Sequence, residues 1–108
     1  MSDGGTAHKP LTEIDRVIHE PARLVICALL AGVSQADFLF VQNETGLTKG
    51  NLSSHLATLE KNGYVDIEKT YRGKRPLTLL SLTEAGRSAL VEYRSMMGDL
   101  IDTIGESE

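Results

Sequence analysis

The stretch GLTKGNLSSHLATLEKNGYVDIEKTYRGKRP, residues 46–76, carries the pattern that decides the fold of this chain. It opens on a glycine turn and continues as an amphipathic helix that ends at Gly63. Apolar and polar residues then alternate, which is typical of a half-buried strand. A glycine-centred turn with Arg72, Lys74 and Arg75 follows. The stretch therefore predicts a helix, a strand and a basic hairpin tip in succession.

The helix of this stretch has two unlike faces. Leu52, Leu56 and Leu59 fall within about 60° of one another, because each helical residue turns by about 100°, so we expect them to pack on a core. The opposite face carries short hydrogen-bonding groups and few charges. Such a face lets a helix approach DNA closely and contact phosphates or base edges. A merely polar surface helix is the alternative interpretation of this element alone.

The charge of the chain is unevenly distributed. The net charge is −4 over 108 residues. Residues 1–45 carry three basic and six acidic side chains, residues 46–75 carry six and three, and residues 76–108 carry two and six. A basic block between acidic flanks favours contact with a polyanion through the middle third, despite the acidic total.

On the N-terminal side, four features precede the deciding stretch. Residues 1–10 are expected to form a disordered tail. Residues 11–19 show helical spacing of apolar residues and predict a short amphipathic helix. The next helix is bounded by Pro21 and Gly32 and is almost wholly apolar, so it is the central core helix. A capping-box pattern starts a third helix at Ser34, and that helix stops at the glycine turn.

The C-terminal side completes the arrangement. Thr48 caps the helix after the glycine turn, which makes a helix-turn-helix. Residues 64–71 and 77–82 predict two strands paired as a hairpin. Thr83 caps a final helix that reaches to about Ile104. The predicted order is helix, helix, helix, helix, strand, strand, helix, which gives an α+β domain over residues 11–104.

Several classes of protein are disfavoured. Cys27 is the only cysteine, so an intramolecular disulfide and a multi-cysteine metal site are excluded within one subunit, and we interpret it as a core residue. His8, His19 and His55 are scattered, so no metal or other cofactor is expected. No nucleophile, acid pair or phosphate cradle is recognisable, so an enzyme is not expected. The chain has neither a signal pattern nor an apolar run long enough for a membrane, so we expect a cytoplasmic protein.

These patterns together resemble the winged helix-turn-helix regulators of prokaryotes, the superfamily of the MarR-type and ArsR-type repressors. The residues that carry the likeness are LSSHLATLEKNGYV (52–65), the basic wing YRGKRP (71–76) and LSLTEAGRSAL (80–90), with DRVIHEPARLVICALL (15–30) before them. The chain looks closest to the small single-domain winged-helix DNA-binding members. The likeness covers residues 11–104.

The resemblance implies which residues meet double-stranded DNA. The helix of residues 48–62 would be the recognition helix in the major groove, and the wing would touch phosphates or the neighbouring minor groove. Ser54 stands where related proteins often carry a long basic or amide side chain, so specificity is expected to depend on Asn51, the wing and DNA shape. The implied contact residues are Lys49, Asn51, Ser53, Ser54, His55, Thr58, Arg72, Lys74 and Arg75.

The last helix carries an apolar seam with spacings of three and four residues. We expect it, from about residue 83, to pair with the same helix of a second subunit, and two-fold symmetry would then place two recognition helices roughly 34 Å apart. Packing of the seam on its own domain is the alternative. The predicted interface consists of Leu11, Ile14, Ile18, Leu90, Tyr93, Met97, Leu100, Ile101 and Ile104.

The sequence thus predicts a homodimeric, sequence-specific regulator of transcription that binds duplex DNA. One alternative is a winged helix that binds another protein and no DNA. Another is a sensor gated by a small-molecule effector at the dimer interface, although no cluster of polar residues identifies such a ligand.

Overall fold

The computed structural model describes residues 11–106, and the tail expected at residues 1–10 lies outside them. Four helices surround a small antiparallel sheet. In chain order the elements are a 3₁₀ turn (Leu11–Glu13), α1 (Pro21–Ala31), β1 (Ala36–Asp37), α2 (Phe38–Thr45), α3 (Lys49–Lys61), β2 (Val65–Arg72), β3 (Arg75–Leu82) and α4 (Glu84–Glu106).

The prediction of a helix over residues 11–19 is wrong beyond the first turn. Only Leu11–Glu13 is helical, as a 3₁₀ turn. The Oδ1 atom of Asp15 accepts hydrogen bonds from the backbone N–H groups of Val17 (2.9 Å) and Ile18 (3.2 Å). A short side chain that bonds its own neighbouring backbone competes with the helical ladder, and here it holds the segment in turns.

The third helix begins later than expected. Asp37, and not Ser34, is its N-cap, since its Oδ1 atom accepts from the N–H of Phe40 at 2.8 Å. Ala36 and Asp37 pair with Leu80 and Leu79 of β3 and form a third strand that the sequence pattern did not reveal. Ala36 and Asp37, which were expected in the first turn of this helix, therefore belong to the sheet.

The helix-turn-helix agrees with its prediction. Gly46 ends α2 with a φ of 73°, in the left-handed region where glycine is favoured. Thr48 caps α3, and its hydroxyl oxygen accepts from the N–H of Asn51 at 3.1 Å. The stripe of three leucines predicted for α3 is buried at Leu52, Leu56 and Leu59.

The sheet has the strand order β1–β3–β2 and is antiparallel throughout. Arg72 pairs with Arg75, so the hairpin turns on two residues, and Gly73 supplies a φ of 65° there. Val65 is buried, and its partner Leu82 packs partly against the core. The outer half of the hairpin extends beyond the core and is exposed.

The core fills the space between α1, α3, the sheet and the first half of α4. It includes Cys27 of α1, as expected, and burial raises the pKa of that thiol to about 11, with a contribution from the Asp15 carboxylate. None of the helices described is long and apolar enough to cross a membrane. The molecule measures 62 × 26 × 21 Å, and α4, with 23 residues, is its longest element.

The start of α4 lies against the end of α3. The Thr83 hydroxyl donates to the Gly63 carbonyl oxygen at 2.6 Å and accepts from the N–H of Gly86 at 2.9 Å. The backbone N–H of Thr83 donates to the Tyr64 carbonyl oxygen at 3.0 Å. A Cβ atom added at Gly86 would lie 2.3 Å from that same oxygen. Only glycine lets the two backbones approach this closely.

We therefore predict that Gly86→Ala lowers the free energy of unfolding by about 2–3 kcal/mol, because backbone atoms would have to move. Gly98→Ala on the same helix is the matched control. Apart from its chain neighbours and the backbone of its own helix, no atom of the described residues lies within 4 Å of its added Cβ, so it should raise that free energy by about 0.5–1 kcal/mol through helix propensity. Urea unfolding of the two variants measures both values, and equal effects would contradict the close approach.

Candidate nucleic-acid interface

The exposed face of α3 is built from small side chains. Gly50 and Ser54 are one helical turn apart and exposed, and outside the neighbouring backbone of α3 no described atom lies within 4 Å of a Cβ built at Gly50. Asn51 is also exposed, while Thr58 is half-buried and donates from its hydroxyl to the Ser54 carbonyl oxygen at 3.3 Å. Apart from Lys61 at its carboxyl end, this face offers short hydrogen-bonding groups and little bulk.

The hairpin tip concentrates positive charge. Arg72 and Arg75 are direct cross-strand partners, so their side chains leave the same face of the sheet, and Lys74 lies in the turn between them. All three are exposed. Like charges directly opposite one another destabilise a hairpin, and an anion between or beside them removes that cost. Tyr71, 69% exposed, precedes them.

A groove of about 870 Å³ runs between α3 and the hairpin. Its lining includes the apolar side chains of Leu56, Ile67 and Leu77 and the hydroxyl-bearing Ser53. Cations outnumber carboxylates in the lining by four to two, so the groove attracts anions. The charged residues that line it are Asp37, Lys49, Glu60, Lys69, Arg72 and Arg75.

Lys69 is a groove residue that the sequence reasoning missed. The alternation of β2 assigns Val65, Ile67 and Lys69 to one face of the sheet. The alternation predicted that Val65 and Ile67 face the core. The same period of two places Lys69 on their side of the strand, so the sequence contained the signal for it. Beyond the core, this face borders the groove.

His55 differs from the other residues expected to meet DNA. Its side chain is 23% exposed and lies on the inner flank of α3. Its Nδ1 atom is 3.1 Å from Nη1 of Arg23 in α1 and 3.9 Å from Oε1 of Glu20. A guanidinium can only donate, so Nδ1 is the acceptor in the hydrogen bond with Arg23. Arg23 holds the ring away from the exposed polar face.

The residues expected at the dimer interface have very different exposures. Ile18 is fully buried within the chain and Tyr93 is 9% exposed. Ile14, Leu90 and Met97 pack partly against the core and Leu100 is half-buried, whereas the side chain of Leu11 is outside the described part. The exposed apolar residues of α4 are Val91 (60%), Ile101 (61%) and Ile104 (60%).

Between residues 11 and 106, no three His, Cys, Asp or Glu side chains stand close enough together to hold a metal ion. Polar side chains of α3 and of the hairpin instead line the groove between these two elements.

Residues 22–101 match the family described as the winged helix DNA-binding domain. Because this match covers well over half of the chain, the chain belongs to that family. The winged helix-turn-helix fold expected from the sequence is confirmed.

Similar proteins agree with this assignment. An uncharacterised protein of Methanocaldococcus jannaschii is 33% identical over 78 residues, which cover 72% of this chain and 85% of that protein. The structure of a transcriptional regulator homologue from Pyrococcus horikoshii is 33% identical with a TM-score of 0.82, covering 87% of this chain and 95% of that one. A MarR-family transcriptional regulator from Silicibacter pomeroyi shares the fold, at 19% identity and a TM-score of 0.63, over 87% of this chain and 62% of that one. The family match and the regulator homologue from Pyrococcus horikoshii support a DNA-binding regulator.

The position of Lys69 generates a prediction. Lys69→Ala should weaken binding of duplex DNA at low salt by up to about tenfold, because one cation is removed from the groove. Arg16→Ala is the control: this exposed cation is outside the groove lining and its loss should change affinity by less than about twofold. Fluorescence anisotropy with a labelled duplex measures both. Equal losses in the two variants would contradict a role for the groove.

Proposed function

We propose that this member of the winged helix family regulates transcription as a homodimer that binds specific sites in duplex DNA. In this proposal α3 enters the major groove and the hairpin contacts the phosphate backbone. One observation carries it: Lys49 and Ser53 of α3 line the same groove as hairpin cations, and cations outnumber carboxylates in that lining by four to two. The hairpin cations in the lining are Lys69, Arg72 and Arg75. A cytoplasmic location in a prokaryotic cell is part of the proposal.

The chemistry of α3 supports entry into the major groove. That groove is wide enough for one helix, and Gly50 and Ser54 add little bulk to the approaching surface. Asn51 is the exposed side chain able to donate to and accept from an adenine edge. Lys49 and the amino end of α3 favour phosphate, because the helix dipole is positive there. Base readout is therefore assigned to few residues.

The hairpin supports the phosphate contact. Arg72 and Arg75 repel each other across the strands, and a phosphate between them relieves that repulsion. Lys74 at the turn adds a third cation at the far end of the wing. Because phosphate contacts carry no sequence information, the wing contributes affinity and fixes the register of the protein on the duplex.

The shape of α4 supports the homodimer. Its 23 residues extend over about 35 Å at 1.5 Å per residue. Leu90 and Tyr93 pack on the core of the same chain, whereas Ile101 and Ile104 near the far end are exposed. In the proposal these exposed side chains contact the second subunit, and Ile18 and Tyr93 support α4 from the inner side. A two-fold axis between two such helices would present two copies of α3 to successive turns of the major groove.

The first test separates the wing from the helix. Changing Arg72, Lys74 and Arg75 together to alanine should weaken binding to all duplexes. The slope of log affinity against log salt should become shallower by about three per protomer, at about 0.9 per phosphate contact. Asn51→Ala should instead change preference among sites and leave the salt slope unchanged.

Affinities measured by anisotropy over a salt series decide this first test, with Arg16→Ala as the charge control. Salt-insensitive or absent binding by the unmodified chain would contradict the DNA-binding function. Recovery of a protein partner through the face bearing Asn51 and Thr58 would then favour the protein-binding alternative.

The second test concerns the dimer. Ile101→Glu combined with Ile104→Glu should produce a monomer, because two charges per subunit would be buried in an apolar interface. Affinity for a palindromic duplex should fall by about 100-fold or more as the second contact is lost. Light scattering after gel filtration gives the mass. Val33→Glu, at an exposed apolar position outside α4, should leave mass and affinity unchanged, and a dimer that persists in the doubly charged variant would contradict the interface.

A further inference from the structure

The short connector between the 3₁₀ turn and α1, residues 14–20, is tied to the junction after α3. Asp15 uses both carboxylate oxygens. Oδ1 caps the turn at Val17 and Ile18, and Oδ2 accepts a hydrogen bond of 2.5 Å from the hydroxyl of Tyr64. The two residues are 49 positions apart, so this bond joins segments that are distant in the chain.

Tyr64 lies where three elements meet. Its backbone N–H donates to the Leu59 carbonyl oxygen at the end of α3, and its own carbonyl accepts from Thr83 before α4. The residue after it begins β2. Its hydroxyl bond to the Asp15 carboxylate, together with desolvation, raises the pKa of Tyr64 to about 12. The raised pKa means that the hydroxyl stays protonated, and remains a donor, to more alkaline pH than that of an ordinary tyrosine.

The same connector also reaches α3 and α4. Arg23 of α1 donates from Nε to the Val17 carbonyl oxygen at 2.7 Å and from Nη1 to His55 of α3 at 3.1 Å. The Nδ1 atom of His19 is 2.9 Å from the hydroxyl oxygen of Tyr93 in α4. The seven residues of the connector are thus joined by direct hydrogen bonds to the junction after α3 and to α4, and to α3 itself through the Arg23 side chain of α1.

We infer that the connector is a clamp that fixes the orientation of α3 relative to α4, with Asp15 and Tyr64 as its positioning residues. This inference rests on the proposed dimer, in which α4 carries the two-fold axis and α3 reads the half-site. The orientation of α3 on α4 then sets the distance between the two copies of α3, and so the spacing of half-sites that the dimer accepts.

Hydrogen bonds suit this role better than apolar packing. Both α3 and α4 pack on α1 through side chains such as Leu30 and Leu90, and apolar contact is non-directional. A hydrogen bond requires a defined distance and angle, so three of them restrict rotation of one helix against the other. A change of about 3.4 Å in the distance between the two copies of α3 corresponds to one base pair. A small rotation of α3 in each subunit therefore changes the half-site spacing that the dimer prefers.

Tyr64→Phe tests the clamp, because it removes the bond to Asp15 and leaves the turn at Val17 and Ile18 intact. A duplex selected by the unmodified protein from a random pool supplies the half-site. Palindromes of that half-site, with spacings changed one base pair at a time, and a duplex with a single half-site are the probes. For the variant, the ratio of affinities between best and adjacent spacings should fall by about fivefold or more. Affinity for the single half-site should stay within about twofold.

Asp15→Asn is the rescue variant. Its Oδ1 atom can still cap the turn and its Nδ2 group can donate to the Tyr64 hydroxyl oxygen, so the spacing preference should remain close to that of the unmodified chain. Ser88→Ala is the matched control, because it removes a hydroxyl group from an exposed position of α4. It should not change the spacing preference. Alkaline titration of tyrosinate absorbance tests the bond in solution. Tyr64→Phe identifies the component that belongs to Tyr64, and Asp15→Asn should lower the pKa of that component, because the carboxylate that raises it is lost.

The outcomes of these binding measurements distinguish the clamp, the dimer and the DNA-binding function from one another. A spacing preference that stays equally sharp in Tyr64→Phe overturns the clamp and leaves the proposed function standing. Loss of single half-site affinity in parallel with a fall in urea stability also overturns it, because Tyr64 would then serve folding alone. Binding without any spacing preference in the unmodified chain overturns the dimer and the clamp together, and absence of binding to any duplex overturns the proposed function with them.

Discussion

Where α3 ends and β2 begins, the carbonyl oxygen of Tyr64 accepts a hydrogen bond from Thr83 and lies against Gly86. This backbone contact directs three elements from one place: the helix with the polar face, the hairpin that carries the wing, and the long α4. A Cβ atom at residue 86 would separate them. The geometry of the groove and the direction of α4 therefore both depend on the absence of a Cβ atom at Gly86.

The distribution of charge over this fold favours binding of an anion at one face. The chain is acidic overall, with a net charge of −4, but its cations gather in the middle third, which folds into α3 and the hairpin. The carboxylate of Asp37 caps α2 and that of Asp15 holds a connector, so these acidic groups serve structure. The groove keeps four cations against two carboxylates. Acidic flanks then direct a polyanion to the face between α3 and the wing.

The deciding stretch was predictable because its signals are local. The cap at Thr48, the leucine stripe of α3 and the glycine turn at Gly73 act within a few residues, and each has its expected conformation. Two elements were not predictable in the same way. The strand at Ala36 and Asp37 forms because β3, more than 40 residues later, offers a free edge. The segment after Glu13 remains in turns because Asp15 bonds its own backbone and Tyr64. A sequence pattern within a short window detects neither the free edge of β3 nor the bond from Tyr64 to Asp15.

For the candidate site, the sequence by itself determined the kinds of side chain available: a helix with few charges, a basic hairpin tip and a long apolar seam. Composition and period fix these properties whatever the rest of the chain does. Only the tertiary structure decided their places. It brought Lys69 into the groove lining, turned His55 towards Arg23, and buried Ile18 and Tyr93 while leaving Ile101 and Ile104 exposed. The physical reason is that burial and hydrogen-bond partners depend on residues distant in the chain, and packing decides which of them meet.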